Sequence, residues 1–174
     1  MRLIIHDLSD MDKPPVQEDE NTVIICNNKK INCCVGCFGC WIKTPGKCII
    51  KDSYNNMGEL LSKCDELIII SKCCYGSYSP FIKNVLDRGI SYILPYFTIR
   101  NNEVHHKSRY PNKLMLNTIF YGEEITEDEK KTARALVKGN AINFNAKTSN
   151  IYFKENIIEI GGLINEICSS KLQS

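Results

Sequence analysis

Four cysteines lie close together in the spacing C-x2-C-x2-C-x7-C: Cys34, Cys37, Cys40 and Cys48. Two-residue gaps let successive sulfurs converge on one cube, so the quartet has the spacing of a [4Fe-4S] ligand set. Four converging thiolates would equally suit tetrahedral zinc. The same spacing also fits redox thiols, or plain structural thiols in a tight, glycine-rich loop. Spacing does not separate these readings. A second chemical stretch is Cys73-Cys74-Tyr75-Gly76-Ser77, where each thiol is either a redox partner for a bound ligand or a small buried side chain. A third is basic: His105, His106, Lys107 and Arg109, with the charge to meet the phosphates of a nicotinamide cofactor or to lie solvated in a loop. No Gly-x-Gly-x-x-Gly fingerprint occurs, so a Rossmann-type dinucleotide site is not supported.

The elements that must position these residues are organised around Asp65 to Arg88. Leu67, Ile68, Ile69 and Ile70 form a continuous apolar run, which fits a central strand buried on both faces of a parallel sheet. A small, polar turn covers Ser71 to Ser77. Ser79 and Pro80 then supply an N-cap and a first-turn proline, and Ile82, Val85, Leu86 and Ile93 continue at helical spacing to an end near Pro95. Strand, loop and helix in this order place residues 71–77 at the carboxyl end of a parallel strand, where open α/β sheets bind ligands. Asp87 and Arg88 read as a solvated pair on the helix surface.

Further strands are expected at Leu3–Leu8, Thr22–Cys26, Leu114–Tyr121 and Ile151–Phe153. Capping boxes at Asn56/Glu59 and Thr126/Glu129 open two helices, the first with Met57, Leu60, Leu61 and Cys64 on one face, the second with Ala133, Leu136, Val137, Ala141 and Phe144. A last helix runs from about Ile157 to Ile167. Between the first two strands lie Asp7, Asp10, Asp12, Pro14, Pro15, Glu18, Asp19 and Glu20, with no apolar stripe, so the first crossover helix is shortened or missing. Residues 33–52 read as an irregular loop, and residues 98–113 as a long polar connection that serves as a lid or binding loop.

A chain of 174 residues is expected to fold as one domain spanning 1–174. A net charge of +2 without a basic stripe argues against nucleic acid as a partner. The longest apolar runs are far too short to span a membrane, and Met1-Arg2 leads straight into a strand rather than a signal peptide, so a cytoplasmic protein is expected. Its ten cysteines then read as reduced thiols or metal ligands rather than a disulfide frame.

Taken together, CVGCFGCWIKTPGKCIIKD at 34–52, SKCCYGSYSPFIKNVLDR at 71–88 and YGEEITEDEKKTARALVKGNA at 121–141 resemble the NADPH-dependent FMN reductase branch of the flavodoxin-like superfamily, which includes the iron-sulfur flavoproteins. The resemblance implies an α/β fold with a flavodoxin-like, doubly wound, five-stranded parallel sheet of order 2-1-3-4-5. It implies FMN or another flavin over the carboxyl edge of the sheet, against Cys73, Cys74, Tyr75, Gly76 and Ser77. It also implies NAD(P)H as hydride donor, an unknown electron acceptor, and a homodimer; the shortened crossover points to the dimer too, since it leaves sheet surface to cover. The scheme requires no general acid or base. Two departures qualify it: the phosphate-gripping loop after the first strand is replaced by His6-Asp7-Leu8-Ser9-Asp10, and Lys72-Cys73-Cys74 stand where the family has proline, a small apolar residue and tyrosine. An acidic loop without a helix start repels a phosphate. The alternative is therefore a flavodoxin-like binding or regulatory module that has lost tight FMN binding.

Overall fold

A computed structural model describes residues 1–12, 16, 18–100 and 102–169. Five parallel strands form the sheet: β1 (Arg2–His6), β2 (Thr22–Cys26), β3 (Glu66–Lys72), β6 (Met115–Tyr121) and β7 (Thr148–Lys154). Their order is β2-β1-β3-β6-β7, which is 2-1-3-4-5 when the sheet strands alone are counted. The intervening β4 (Ile93–Arg100) and β5 (Glu103–Ser108) form a separate antiparallel hairpin. The flanking helices are α1 (Gly39–Ile42), α2 (Met57–Ser62), α3 (Pro80–Arg88), α4 (Glu127–Asn143) and α5 (Ile158–Ser169).

Alternation along the strands divides the core in two. Leu3, Ile5, Leu67, Ile69, Leu116 and Phe120 face α2, α3 and α4, whereas Ile4, Ile68, Ile70 and Ile119 face Ile160, Ile164 and Ile167 of α5. The sheet is thus covered on both faces. Between β1 and β2 the described residues hold only a single 3-10 turn, Asp10–Asp12, in keeping with a shortened crossover; the prolines at 14 and 15 lie outside the described residues.

Strands buried on both faces are apolar on both, so alternation alone does little to fix their register. Here a polar ladder supplies it. Arg2 Nε donates to Glu66 Oε2 at 2.8 Å, Asn117 Nδ2 to Glu66 Oε1 at 3.2 Å, and Asn150 Nδ2 to Asn117 Oδ1 at 2.9 Å. One residue from each of β1, β3, β6 and β7 is tied into that line.

The structure corrects three expectations. Ile93 and Pro95 belong to β4, because α3 stops at Arg88 and a 3-10 turn, Ile90–Tyr92, turns the chain into the hairpin. Residues 98–113, expected as a lid or loop, are largely strand. Asn56 stands before α2 without a side-chain capping bond, its ψ of 14° being unlike the extended backbone of a capping residue.

The Thr126 box does form: its Oγ1 accepts from Glu129 N at 3.3 Å, and Glu129 Oε2 accepts from Thr126 N at 2.9 Å. Replacing such a cap by alanine costs about 1 kcal/mol. We expect Thr126→Ala to lower the unfolding free energy measured by urea titration by that amount, and Asn56→Ala to leave it nearly unchanged.

Candidate functional site

The cysteine loop is shaped by a cation at the end of α3. Phe81, Val85 and Arg88 share one helix face, so Arg88 points into the protein rather than to solvent. Its side chain has no exposure, and that of its partner Asp52 is 8% exposed. All five guanidinium N–H donors are used. Nη1 donates to Asp52 Oδ2 and to Asn32 O, both at 2.7 Å; Nη2 donates to Asp52 Oδ1 at 2.9 Å and to Ile50 O at 3.1 Å; Nε donates to Cys48 Sγ at 3.2 Å. Asp52 also accepts from Asn32 N and Nδ2 and from Tyr54 N. Both ends of the 32–52 loop are therefore held on one ion pair. The surface-pair reading of Asp87 and Arg88 is overturned: Asp87 pairs with Lys83 instead, and Arg88 is buried.

Within this loop Cys34, Cys37, Cys40 and Cys48 line one cavity of about 350 Å3, walled by Val35, Phe38, Trp41 and Ile50. Trp41 is fixed by its Nε1–H on Ile93 O at 2.9 Å and by Phe38, whose ring centroid lies 5.5 Å away. Cys34 and Cys37 are exposed, Cys48 is half-buried and Cys40 is buried. The Cys40 thiol is pushed up by burial first, then by the sulfurs of Cys48, Cys34 and Cys37 in that order. A cluster or zinc needs its sulfurs converged on a common centre. Among the described residues no three histidine, cysteine or carboxylate side chains stand close enough together to hold a metal ion. The four cysteines share one cavity.

The second stretch sits at the carboxyl ends of the strands. Cys74 and Ser77 exchange backbone hydrogen bonds at 2.9 Å across Tyr75 and Gly76, whose φ values of 53° and 75° are those of a type I′ turn. Tyr75 holds this left-handed backbone without being glycine, and its ring is 92% exposed. Gly76 faces a tighter limit, since a Cβ there would lie 2.7 Å from Glu129 O and from Thr132 Cβ of α4. Cys73 lines a cleft of about 570 Å3 that also takes in Lys72, Tyr121, Glu123, Glu129 and Glu155. Burial raises the Cys73 thiol.

Asp7, one residue past β1, reaches across to the carboxyl ends of β3 and β6. Its carboxylate accepts from Lys72 N at 3.0 and 3.2 Å and from the Tyr121 hydroxyl at 3.0 Å. Burial raises the Tyr121 phenol, and the neighbouring Asp7 raises it further. The volume suits an aromatic ring. The charge does not suit a phosphate, because a carboxylate already holds the nearest strand-end amide and three glutamates line the cleft. Asp7 was legible only as a negative charge; its engagement with Lys72 follows from strand register.

The basic stretch does not converge. His105 lies 3.1 Å from Glu103 Oε2, His106 donates from Nδ1 to Leu94 O at 2.7 Å and packs between Trp41 and Phe97, and Arg109 Nε donates to Ser91 O. The helical spacing of Arg88 from Phe81 and Val85 was the signal for the residue that matters more.

No family model matches the chain. Among curated proteins it matches an iron-sulfur flavoprotein of Archaeoglobus fulgidus, at 33% identity over 70 residues, 40% of this chain. The match spans 29% of that protein's length. No solved structure matches. Over those residues the chain is a distant homologue of that protein, and its parallel sheet fits the flavodoxin-like fold. No helix among the described residues is long and apolar enough to cross a membrane.

Burial raises the Asp52 carboxyl, but hydrogen bonds from Arg88, Asn32 and Tyr54 outweigh it and hold the group well below the usual carboxylate range. A depressed carboxylate contributes stability above its unfolded pKa and loses it as pH falls toward the folded one. The wild-type advantage over Asp52→Asn, measured by urea unfolding, should be full at neutral pH and shrink below about pH 4. Arg88→Ala, which leaves Asp52 buried and unpaired, should cost roughly 3–5 kcal/mol at neutral pH.

Proposed function

We propose that this chain is a flavin-dependent oxidoreductase of flavodoxin-like fold, accepting hydride from NAD(P)H and passing electrons to a separate acceptor. The observation that carries the reading is the homology with the iron-sulfur flavoprotein, set on a sheet whose ligand crevice lies at the carboxyl ends of the strands. The flavin, when bound, supplies the hydride and electron chemistry. The chain supplies position. Cys73 and Tyr121 border the 570 Å3 cleft. No side chain is needed as an acid or base.

A second reading is favoured by one feature, the Asp7 carboxylate on Lys72 N. A phosphate gains roughly 1.5–3 kcal/mol from each charged hydrogen bond, and here the nearest amide is already engaged. In this reading the protein is a flavodoxin-like module that binds the ring weakly or has given it up for another partner.

A homodimer belongs to the same proposal. The β4–β5 hairpin stands outside the main sheet and leaves Tyr96, Phe97, Ile99 and Val104 more than half exposed. A two-stranded hairpin is marginal in water unless something covers it.

Titrating the purified chain with FMN and with riboflavin, followed by fluorescence quenching, separates the readings. We expect micromolar binding with little preference between the two flavins, and Asp7→Ala to raise the preference for FMN by roughly tenfold. FMN held about a hundredfold more tightly than riboflavin would place a phosphate site elsewhere, whereas no binding of either at about 100 μM would leave only the second reading. Light scattering at micromolar concentration should give the mass of a dimer.

A further inference from the structure

We propose that Cys26 and His6 are a nucleophile and its base at the carboxyl ends of β2 and β1, beside a cavity that takes a small α,β-unsaturated carbonyl compound. Three observations carry this. First, the parallel register pairs His6 with Cys26. Register partners on neighbouring strands point to the same face of the sheet about 4.8 Å apart, close enough for an imidazole nitrogen to take the thiol proton. Second, both residues border two cavities at this end of the sheet, one of about 460 Å3 that also takes in Lys29, Ser53 and Tyr54, and one of about 260 Å3. The larger has the volume of a small-molecule site. His6 is buried, whereas Cys26 is half-buried and so can be reached from the cavity. Third, a cation is held on the same wall. The Tyr54 hydroxyl lies 3.0 Å from Cys26 O and 3.2 Å from Lys29 O, so one phenol fixes the end of β2 and the start of the turn that carries Lys29. Burial raises that phenol, and the Cys26 thiol raises it further, in keeping with a sulfur close to the hydroxyl. Glu18, the carboxylate of the larger cavity, is turned to the strand edge, where it accepts from Ile24 N at 3.0 Å.

The steps balance without a further reactant. The Cys26 sulfur attacks the β-carbon of C=C–C=O, forming a carbon–sulfur bond as its proton passes to His6. The electron pair of the C=C bond shifts toward the carbonyl oxygen, giving an enolate whose charge the Lys29 ammonium offsets. His6 then returns its proton to the α-carbon. Sulfur and hydrogen have been added across the double bond, nothing leaves, and no electron is gained or lost by the pair of reactants. A conjugated carbonyl fits this site better than a simple alkylating agent because it alone develops the negative oxygen that a cation on the wall would meet. The inference depends neither on a flavin nor on what the cysteine quartet holds.

The test is the rate at which methyl vinyl ketone modifies each cysteine of the full chain at neutral pH, read by peptide mass spectrometry. Cys33, exposed and outside the quartet, is the internal reference. In the wild type Cys26 should react about tenfold faster than Cys33 or more. His6→Asn should remove that advantage and leave the Cys33 rate unchanged. Lys29→Met should slow methyl vinyl ketone at Cys26 several-fold but leave iodoacetamide, which forms no enolate, at its wild-type rate. Far-ultraviolet circular dichroism checks that both variants fold. A wild-type Cys26 no faster than Cys33 would overturn the proposal without recourse to any variant. An undiminished Cys26 rate in folded His6→Asn would remove the base, and a Lys29→Met effect that is absent, or equal for the two reagents, would overturn the conjugated carbonyl as the ligand.

Discussion

The burial of one guanidinium sets the shape of the cysteine-bearing half of the molecule. A charge with no solvent exposure must have every donor satisfied, and Arg88 achieves this only if Asn32, Cys48, Ile50 and Asp52 come to it together. The loop's other ties are single hydrogen bonds, such as Trp41 Nε1 to Ile93 O and Ser91 Oγ to Gly46 O, and its helix α1 is a single turn. Pairs of this kind contribute less to net stability than to choosing one arrangement over its competitors. Here the choice concerns where four sulfurs lie.

A comparable constraint governs the other site. The ladder from Arg2 through Glu66 and Asn117 to Asn150 fixes how four strands slide past one another, and the β1–β3 register then puts His6 beside Ile70. Asp7, the next residue, necessarily arrives at the amide of Lys72. Shifting β1 by one residue would carry this carboxylate away from the Lys72 amide. The acidic character of the ligand edge is thus a result of register as well as of composition.

Those parts of the fold governed by local, periodic signals were legible. Thr22–Cys26 matches residue for residue, the apolar run at 67–70 is the centre of β3, and the Thr126 box closes as its spacing requires. What was not legible depended on long-range contacts. Ile93 lies at helical spacing from Leu86, and nothing local tells a continuing helix from one that stops at Arg88 and turns into a hairpin whose alternation is hidden by exposure on both faces. Arg88 itself lies in the helical pattern, seven residues after Phe81 and three after Val85, but its charge alone points to the surface. Its carboxylate partner is 36 residues away, which no spacing rule reaches.

The two candidate sites are joined by the helix that Arg88 ends. The turn from Cys74 to Ser77 leads through Ser79 into the first residue of α3, and Arg88 is its last. Nine residues at about 1.5 Å each make this a rod of roughly 13 Å. One face of it, carrying Phe81, Ile82 and Val85, is buried in the core beside β3, so it is not free to slide. The crevice at the carboxyl edge and the sulfurs at Arg88 are consequently held at a fixed separation by a rigid element of the same chain. Movement at one end is resisted by packing along the whole helix, and any chemistry that passes between the two must cross this distance rather than close it.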